Sequence, residues 1–119
     1  MTTQQVANRL VELCRQGKIM EAQQELYAAD VTSTETSNTS VKEVKGMQAI
    51  AEKSKMFQSM VEEFHGAEIS DPIIANDHFA ISWMMDVTMK DKGRMKMQEI
   101  CLYKVKDGKV ASEQFFFSM

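Results

Sequence analysis

The chain has 119 residues, of which 44% are hydrophobic and 26% are charged, and its formal net charge is −3. These values are ordinary for a soluble globular protein, so we interpret residues 1–119 as a single domain with one core. The negative charge excludes the basic face that nucleic-acid recognition needs, and no apolar run is long enough to span a bilayer.

The cysteines and the first residues bear on the cellular compartment. Cys14 and Cys101 are too few for a disulfide framework and fit a reducing environment. The opening MTTQQVANRL lacks the charged start and the apolar run of a signal peptide. We therefore expect a cytoplasmic protein with neither nucleic acid nor a membrane as its partner.

Two helices are predicted at the start of the chain. The first covers residues 2–16, and its apolar stripe has helical spacing through Val6, Leu10, Leu13 and Cys14. Thr2 followed by Gln5 fits a capping box, and Gly17 suits the position after the helix, where φ > 0 is favoured. The second helix runs from Lys18 to about Ala29.

A polar stretch separates these helices from the third. Residues 30–35 are expected to form a short strand, because threonine favours extended structure. The rest of the Ser- and Thr-rich segment 32–45 is expected to be a surface loop that either edges a pocket mouth or is a solvated connector. The third helix is predicted from Met47 to Phe64 on one apolar face, and a strand broken at Pro72 follows over residues 67–75.

The last part of the chain is predicted to form three consecutive strands, His78 to Lys90, Arg94 to Lys106 and Lys109 to Ser118. Turn signals separate them at Lys92-Gly93 and at Asp107-Gly108. Asp-Gly between two alternating runs is a strong hairpin signal, because both central residues of a type I′ turn need φ > 0. Helices followed by an antiparallel meander predict an α+β domain with its helices on one face of the sheet.

Asp86 and Glu99 are the candidate catalytic residues. Tight two-residue turns would place them opposite each other, on the sheet face that meets the helices. Side-by-side carboxylates repel when both are ionised, so one pKa should rise and leave a general base next to a general acid. Such a pair could move a proton beside a ketone. The alternative is an ordinary surface ion pair with Arg94 or Lys96.

The same register predicts the pocket lining and a dimer face. We expect the ligand to be contacted by Met84, Met97, Cys101, Tyr103, Gln114 and Phe116. The opposite face would carry too much apolar area for contact with water, through Ile81, Trp83, Met85, Ile100, Leu102, Phe115 and Phe117. We therefore expect a homodimer that is built sheet against sheet. Metal-ligand spacings and phosphate-binding glycine loops are absent from the sequence, so no metal or cofactor is predicted.

Three segments carry a family resemblance: 25–31 (ELYAADV), 44–50 (VKGMQAI) and 99–110 (EICLYKVKDGKV). Together with the element order, they make nearly the whole chain resemble SnoaL-like proteins of the nuclear-transport-factor-2-like superfamily. The resemblance implies a cone-shaped α+β barrel, in which a curved, mainly antiparallel sheet wraps around the long helix and leaves a pocket at its open end. It also implies that the chain forms dimers, as family members commonly do.

The superfamily includes ketosteroid isomerases, polyketide cyclases, dehydratases, epoxide hydrolases and non-catalytic binding domains, and the fold alone does not choose among them. The resemblance places the buried oxyanion aspartate of the isomerases at Cys101. A thiol is a poor hydrogen-bond donor, which argues against isomerase chemistry.

Three functions stay open. The first is a protein that binds a small, largely apolar organic molecule in the cone pocket. The second is an acid–base enzyme of the polyketide cyclase, isomerase or dehydratase type that uses Asp86 and Glu99. The third is a protein-interaction module that uses the outer face of the sheet.

Overall fold

The computed structural model describes residues 1–118. The helices are α1 (Thr3–Arg15), α2 (Ile19–Leu26) and α3 (Met47–Met60). The strands are β1 (Tyr27–Thr36), β2 (Val41–Lys45), β3 (Val61–Ile69), β4 (Ile73–Ala75), β5 (His78–Met89), β6 (Gly93–Lys106) and β7 (Lys109–Phe117). The α+β class predicted from the sequence is confirmed, because the helices pack against one sheet.

The sheet is mainly antiparallel and curved. Its strands run in the order β2-β1-β7-β6-β5-β3, and β4 pairs with the start of β5. Only β1 and β7 are parallel among the strand pairs of residues 1–118. Register shifts interrupt three of these pairs, and shifts of this kind bend a sheet and increase its twist. We call the concave side, which meets the helices, the inner face, and the other side the outer face.

Helix α1 covers one end of the inner face. The predicted capping box is confirmed: the Thr2 hydroxyl accepts from the Gln5 N–H at 3.1 Å, and the Gln5 side chain accepts from the Thr2 N–H at 2.9 Å. The buried side of the helix carries Val6, Ala7, Leu10, Val11, Leu13 and Cys14. These residues belong to the hydrophobic core, so their burial stabilises this end of the fold.

The segment after α2 is more extended than the sequence predicts. The second helix ends at Leu26, because Tyr27 takes an extended backbone and begins β1. The short strand expected over residues 30–35 is confirmed as part of β1. The surface loop expected for the rest of the segment is limited to residues 37–40, because Val41–Lys45 form β2 and Thr36 pairs with Val41. Threonine, serine and valine fit such strands well, and pairing with the sheet decides the outcome.

Helix α3 is shorter than predicted. It ends at Met60, and the residues from Val61 onward pair with β5 as strand β3. The predicted apolar stripe is only partly a core stripe, since Ile50 is its one fully buried residue within α3, while Phe64 is 60% exposed. The predicted helix is too long because the apolar periodicity continues past Met60, into residues that pair with β5.

The loop between β5 and β6 is longer than a two-residue turn, and this changes the register. Met89 pairs with Gly93, so the loop contains residues 90–92, and Gly93 takes a φ of 76°. Glu99 consequently pairs with Trp83 and not with Asp86. The displacement along β5 is three residues, an odd number, so it also moves Asp86 to the other face of the sheet.

A bulge changes the predicted register between β6 and β7 as well. The Asp107-Gly108 turn is confirmed, since Lys106 pairs with Lys109, but the register shifts between Lys104 and Val105. Beyond the shift, each residue of β6 faces a residue one position further along β7 than expected: Glu113 opposite Tyr103, Phe115 opposite Cys101 and Phe117 opposite Glu99. The predicted faces of β7 are therefore exchanged.

Candidate functional site

The two faces of the sheet separate the residues predicted to form one site. The inner face carries four of them, Met97, Glu99, Cys101 and Tyr103. The outer face carries the other four, Met84, Asp86, Gln114 and Phe116. The predicted faces are right for β6 and wrong for β5 and β7, because the two loops of the meander differ from tight, unbulged hairpins.

Asp86 forms an ion pair on the outer face. The Arg94 guanidinium donates to both carboxylate oxygens, from Nε at 3.2 Å and from a terminal nitrogen at 3.1 Å. This hydrogen bonding holds the pKa of Asp86 below its usual value, and burial opposes the shift more weakly. The carboxylate pair predicted for Asp86 and Glu99 is wrong, and the alternative of a surface ion pair describes Asp86.

Glu99 lies on the inner face in a largely apolar setting. Burial, followed by the negative charge of Glu35, raises the pKa of Glu99 to about 7. The Cys101 thiol lies 3.8 Å from the Glu99 carboxyl and opposes this rise by donating to it. A carboxyl in this setting exchanges its proton near neutral pH, which is the property expected of a general acid or base.

Glu113 is a second carboxyl of the inner face, and the sequence analysis did not identify it. It is 2% exposed and accepts a hydrogen bond of 2.8 Å from the Tyr27 hydroxyl. Burial raises the pKa of Glu113 to about 7, although the hydrogen bonds from Tyr27 and Ser33 and the charge of Lys53 oppose the rise. The predicted register placed Ser112 and Gln114 on the inner face. In the structure Glu113, which lies between them, is on that face.

Lys53 brings a cation from α3 to these carboxyls. Its ammonium donates to the Ser33 hydroxyl at 2.6 Å and lies 3.3 Å from a Glu35 oxygen. It also lies 5.1 Å from the centre of the Phe115 ring, within the range of a cation–π contact. Its charge partly opposes the rise in the pKa of both Glu99 and Glu113. We call Glu35, Lys53, Glu99 and Glu113 the interior charge cluster.

The interior charge cluster lies where the cone changes from closed to open. Along β6 the inner-face residues Cys101 and Tyr103 are buried, whereas Met97 and Glu99 are only partly so. A cleft of about 330 Å³ lies beside this end and is lined by Glu35, Ser37, Thr39, Ser40, Lys42 and Phe117. Glu35 belongs to both the cleft and the cluster, and Phe117 is the cross-strand partner of Glu99, so the cleft adjoins the side of the cluster on which Glu99 lies.

The residues deeper than Glu99 pack the closed end. The Tyr103 ring stacks on Phe79 with centroids 4.7 Å apart, and it meets Phe115 edge-on at 6.5 Å. Burial raises the pKa of the Cys101 thiol far above its ordinary value, so the thiol stays protonated and unreactive. Cys101 and Tyr103 therefore form the floor beneath Glu99.

A second groove, of about 410 Å³, lies along α1 and is lined by Asn8, Val11, Glu12, Arg15, Gln16, Asp71 and Pro72. Its Arg15 is already paired, with the Asp71 carboxylate at 2.9 Å and with the Ile69 carbonyl at 2.7 Å. No residue of the interior charge cluster lines it. This groove is therefore separate from the interior charge cluster.

Comparison with protein families settles the family. The SnoaL-like domain family matches residues 1–117. The chain belongs to the SnoaL-like family. No curated protein matches it significantly.

Solved structures agree with the assignment of this SnoaL-like domain. A candidate SnoaL-like polyketide cyclase from Mesorhizobium loti, also described as a carbohydrate phosphatase, has 34% sequence identity and a TM-score of 0.91, over 98% of this chain and 100% of that chain. A Xanthomonas campestris protein of unknown function with a cystatin-like fold has 17% identity and a TM-score of 0.82, over 98% and 91% of the two chains. A nuclear-transport-factor-2-like protein of unknown function from Burkholderia pseudomallei has 11% identity and a TM-score of 0.78, over 98% and 92%. The last two show the fold alone.

The sequence of this SnoaL-like domain does contain signals for Lys53 and Glu113, which were not among the predicted site residues. Lys53 follows Ile50 by three positions and precedes Phe57 by four, so it belongs to the apolar stripe of α3. Glu113 alternates with the aromatic residues Phe115 and Phe117, and it therefore shares their face. Charged residues that interrupt an apolar face are the signal that would have found both.

Two further structural findings concern the same residues 1–118. No three His, Cys, Asp or Glu side chains among them are arranged to hold a metal ion. No helix among them is both long enough and apolar enough to cross a membrane.

Proposed function

We propose that this SnoaL-like protein binds a small, largely apolar organic molecule in its cone and transfers a proton on it, with Glu99 as the general acid and base. The observation that carries the proposal is the setting of Glu99, whose pKa is raised to about 7 by burial on the inner face. A carboxyl with that pKa is protonated and ionised in comparable amounts at neutral pH. This suits a group that first takes a proton and then returns it.

The surroundings of Glu99 favour an apolar substrate. Trp83 on β5 and Phe117 on β7 are its partners across the two neighbouring strands. Met97 lies on the same face toward the open end. Aromatic rings and flexible methionines provide adaptable apolar contacts, so this lining fits a molecule with an apolar body.

The reaction class that this arrangement favours is proton transfer at a carbon beside a ketone. The Glu99 carboxylate takes the proton, the C–H electron pair forms a C=C bond, and the carbonyl π electrons move to oxygen. The protonated Glu99 then returns a proton to the substrate. Positive charge from Lys53 in the interior charge cluster favours the enolate. Such a step begins enolisation and aldol cyclisation, and the Mesorhizobium relative is named a candidate polyketide cyclase.

Deuterium exchange of ketone protons tests this function. In D₂O, 1-indanone exchanges the protons beside its carbonyl when a base removes them, and NMR follows the loss of their signal. We expect the wild-type protein to accelerate this exchange. Glu99→Gln keeps the shape of the side chain but cannot take the proton, so it should reduce the acceleration by about a hundredfold or more.

Asp86→Asn is the matched control for the exchange experiment. Asp86 is on the outer face and paired with Arg94, so this variant should retain the full acceleration. Equal acceleration by the wild type and Glu99→Gln would contradict the role of Glu99. An equal loss in both variants would show that the change acts through the fold and not through the inner face.

Binding without chemistry is the second candidate function. The observation that favours it is the set of partly buried methionines on the inner face, Met85, Met95 and Met97, whose flexible side chains suit adaptable binding. If 1-indanone raises the melting temperature of the wild type through mass action but its protons are not exchanged, this function is selected over the enzyme.

Association of two copies through the outer face stays a proposal, and its basis is narrower than the sequence predicts. Most of the apolar residues expected on that face lie on the inner face: Ile81, Trp83, Met85, Phe115 and Phe117. The cross-strand pair of Ile100 and Phe116 remains outside, with 50% and 41% of these residues exposed. This pair and the neighbouring Leu102 would form the centre of the contact.

A further inference from the structure

The indole nitrogen of Trp83 is a buried hydrogen-bond donor without a partner. Trp83 is 8% exposed, and its Nε1 has no hydrogen-bond partner among residues 1–118. The large majority of buried polar atoms are hydrogen-bonded, so each exception needs an explanation. An indole N–H donates and cannot accept, so whatever satisfies it has to offer an acceptor atom.

Trp83 is next to the proposed proton-transfer residue. It is the cross-strand partner of Glu99 in the antiparallel pair of β5 and β6, and both residues are on the inner face. Side chains at such positions have Cβ atoms about 4.5–5.5 Å apart. The two side chains are therefore neighbours. Because the Nε1 atom is itself covered, a molecule that contacts both the N–H and the Glu99 carboxyl has to displace the side chains over the indole.

We propose that Trp83 is a substrate-binding residue whose indole N–H donates to the carbonyl oxygen of a neutral ketone, while Glu99 acts on the adjacent carbon. The inference rests on the proposed function and adds the residue that binds the ketone oxygen. When Glu99 removes the proton, the C–H electron pair forms the C=C bond and the carbonyl π electrons move to the ketone oxygen. The Trp83 N–H then donates to the oxygen where the negative charge forms.

The charges of the site favour a neutral acceptor. Three carboxyls of the interior charge cluster, Glu35, Glu99 and Glu113, face the single ammonium of Lys53 in this cluster. A ligand carboxylate or phosphate would meet this negative charge, and Lys53 already contacts Ser33 and Glu35. An ammonium group offers no acceptor for the indole. A ketone carbonyl is uncharged and has an oxygen that accepts a hydrogen bond, so it suits both the indole N–H and the negative charge of the cluster.

Trp83 is the one tryptophan of the sequence, so the proposal can be tested on a single signal. A ¹⁵N–¹H spectrum contains one indole cross-peak, which is titrated with 1-indanone and, separately, with indane, the same skeleton without the oxygen. We expect the ketone to move the peak downfield and indane to leave it nearly unchanged. We also expect 1-indanone to bind about tenfold more tightly than indane, as one added hydrogen bond of ordinary strength allows.

Two variants complete the experiment. Trp83→Phe keeps an aromatic ring but removes the N–H, so the preference for 1-indanone over indane should fall to near one. Phe117→Leu is the matched control on the other side of Glu99, and it should weaken both compounds while keeping their ratio. If Trp83→Phe does not fold, the wild-type cross-peak and the ratio of affinities decide alone.

The possible outcomes separate this inference from the proposed function. If both compounds bind with equal affinity and the indole peak does not move, the role of Trp83 is overturned while the apolar pocket stands. If Trp83→Phe keeps the ketone preference, the same conclusion holds. If neither compound binds the wild type, the proposed function fails, and the inference that rests on it fails with it.

Discussion

Asp86 and Glu99 are carboxylates on neighbouring strands, and the two faces of the sheet give them opposite properties. On the outer face, Arg94 hydrogen-bonds Asp86 and lowers its pKa. On the inner face, burial beside other carboxyls raises the pKa of Glu99 to about 7. The comparison shows that the side of the sheet, more than the type of residue, decides which carboxyl can transfer protons at neutral pH.

The largest expected effect is a loss of stability as the pH rises. Glu99 and Glu113 have an ordinary pKa of 4.5 and a folded-state pKa of about 7. Between these values the unfolded chain releases protons that the folded protein retains, so the free energy of unfolding falls with pH until both groups are ionised. The penalty well above pH 7 is about 3 kcal/mol for each carboxyl.

Urea unfolding of the wild type at pH 5 and pH 8 measures this loss. Glu113→Gln removes one of the two titrating carboxyls, so it should be less sensitive to pH over this range. Asp86→Asn should keep the wild-type sensitivity, because a lowered pKa affects stability only in acid, where the carboxylate becomes protonated. A wild-type protein with equal stability at both pH values would contradict the raised pKa values of the inner face.

The next effect comes from the cation of the interior charge cluster. Lys53→Met leaves Glu99 and Glu113 without their nearby ammonium, so the ionisation of these two carboxyls becomes less favourable. We expect a loss of about 2 kcal/mol at pH 8, less than for a fully buried pair because the Lys53 side chain is 28% exposed. Lys55→Met, an exposed neighbour on the same helix, is the control. Equal losses in the two variants would show that the inner face gains nothing from Lys53.

The smallest effect on the inner face is expected from changes to the outer face. We expect light scattering at micromolar concentration to show a dimer of the wild type, and Ile100→Lys to shift it toward the monomer by placing a charge in the contact. Proton exchange on 1-indanone should be nearly unchanged in this variant, since Ile100 faces away from Glu99. A wild-type monomer under these conditions would remove the basis for the dimer.

Much of the fold could be predicted from short-range signals. The Thr2–Gln5 capping box and the apolar stripe identify α1, and the Asp107-Gly108 turn locates the last hairpin. These signals act between residues a few positions apart, so the sequence contains all of their information. The end of α3 could not be predicted in this way, because pairing of Val61 with Met89 depends on a distant strand.

The candidate site was predicted only in part, because it depends on the parity of the register. Glu99 was identified correctly as an inner-face carboxyl, since its own strand alternates regularly. The carboxylate predicted to lie beside Glu99 was wrong. The β5–β6 loop has one residue more than predicted, and a bulge lies near Val105; each of these features places the residues of one neighbouring strand on the opposite face of the sheet. Neither feature has a strong sequence signature, and Glu113 was missed for this reason.

The measurement that tests the difference between the two faces most directly is a ¹³C NMR titration of the side-chain carboxyls, with Glu99→Gln and Asp86→Asn used to assign the two signals. We expect Glu99 to titrate near pH 7 and Asp86 below its ordinary pKa of 3.8. Titration of Glu99 near its ordinary pKa of 4.5 would contradict the assignment of Glu99 as the group that transfers protons at neutral pH.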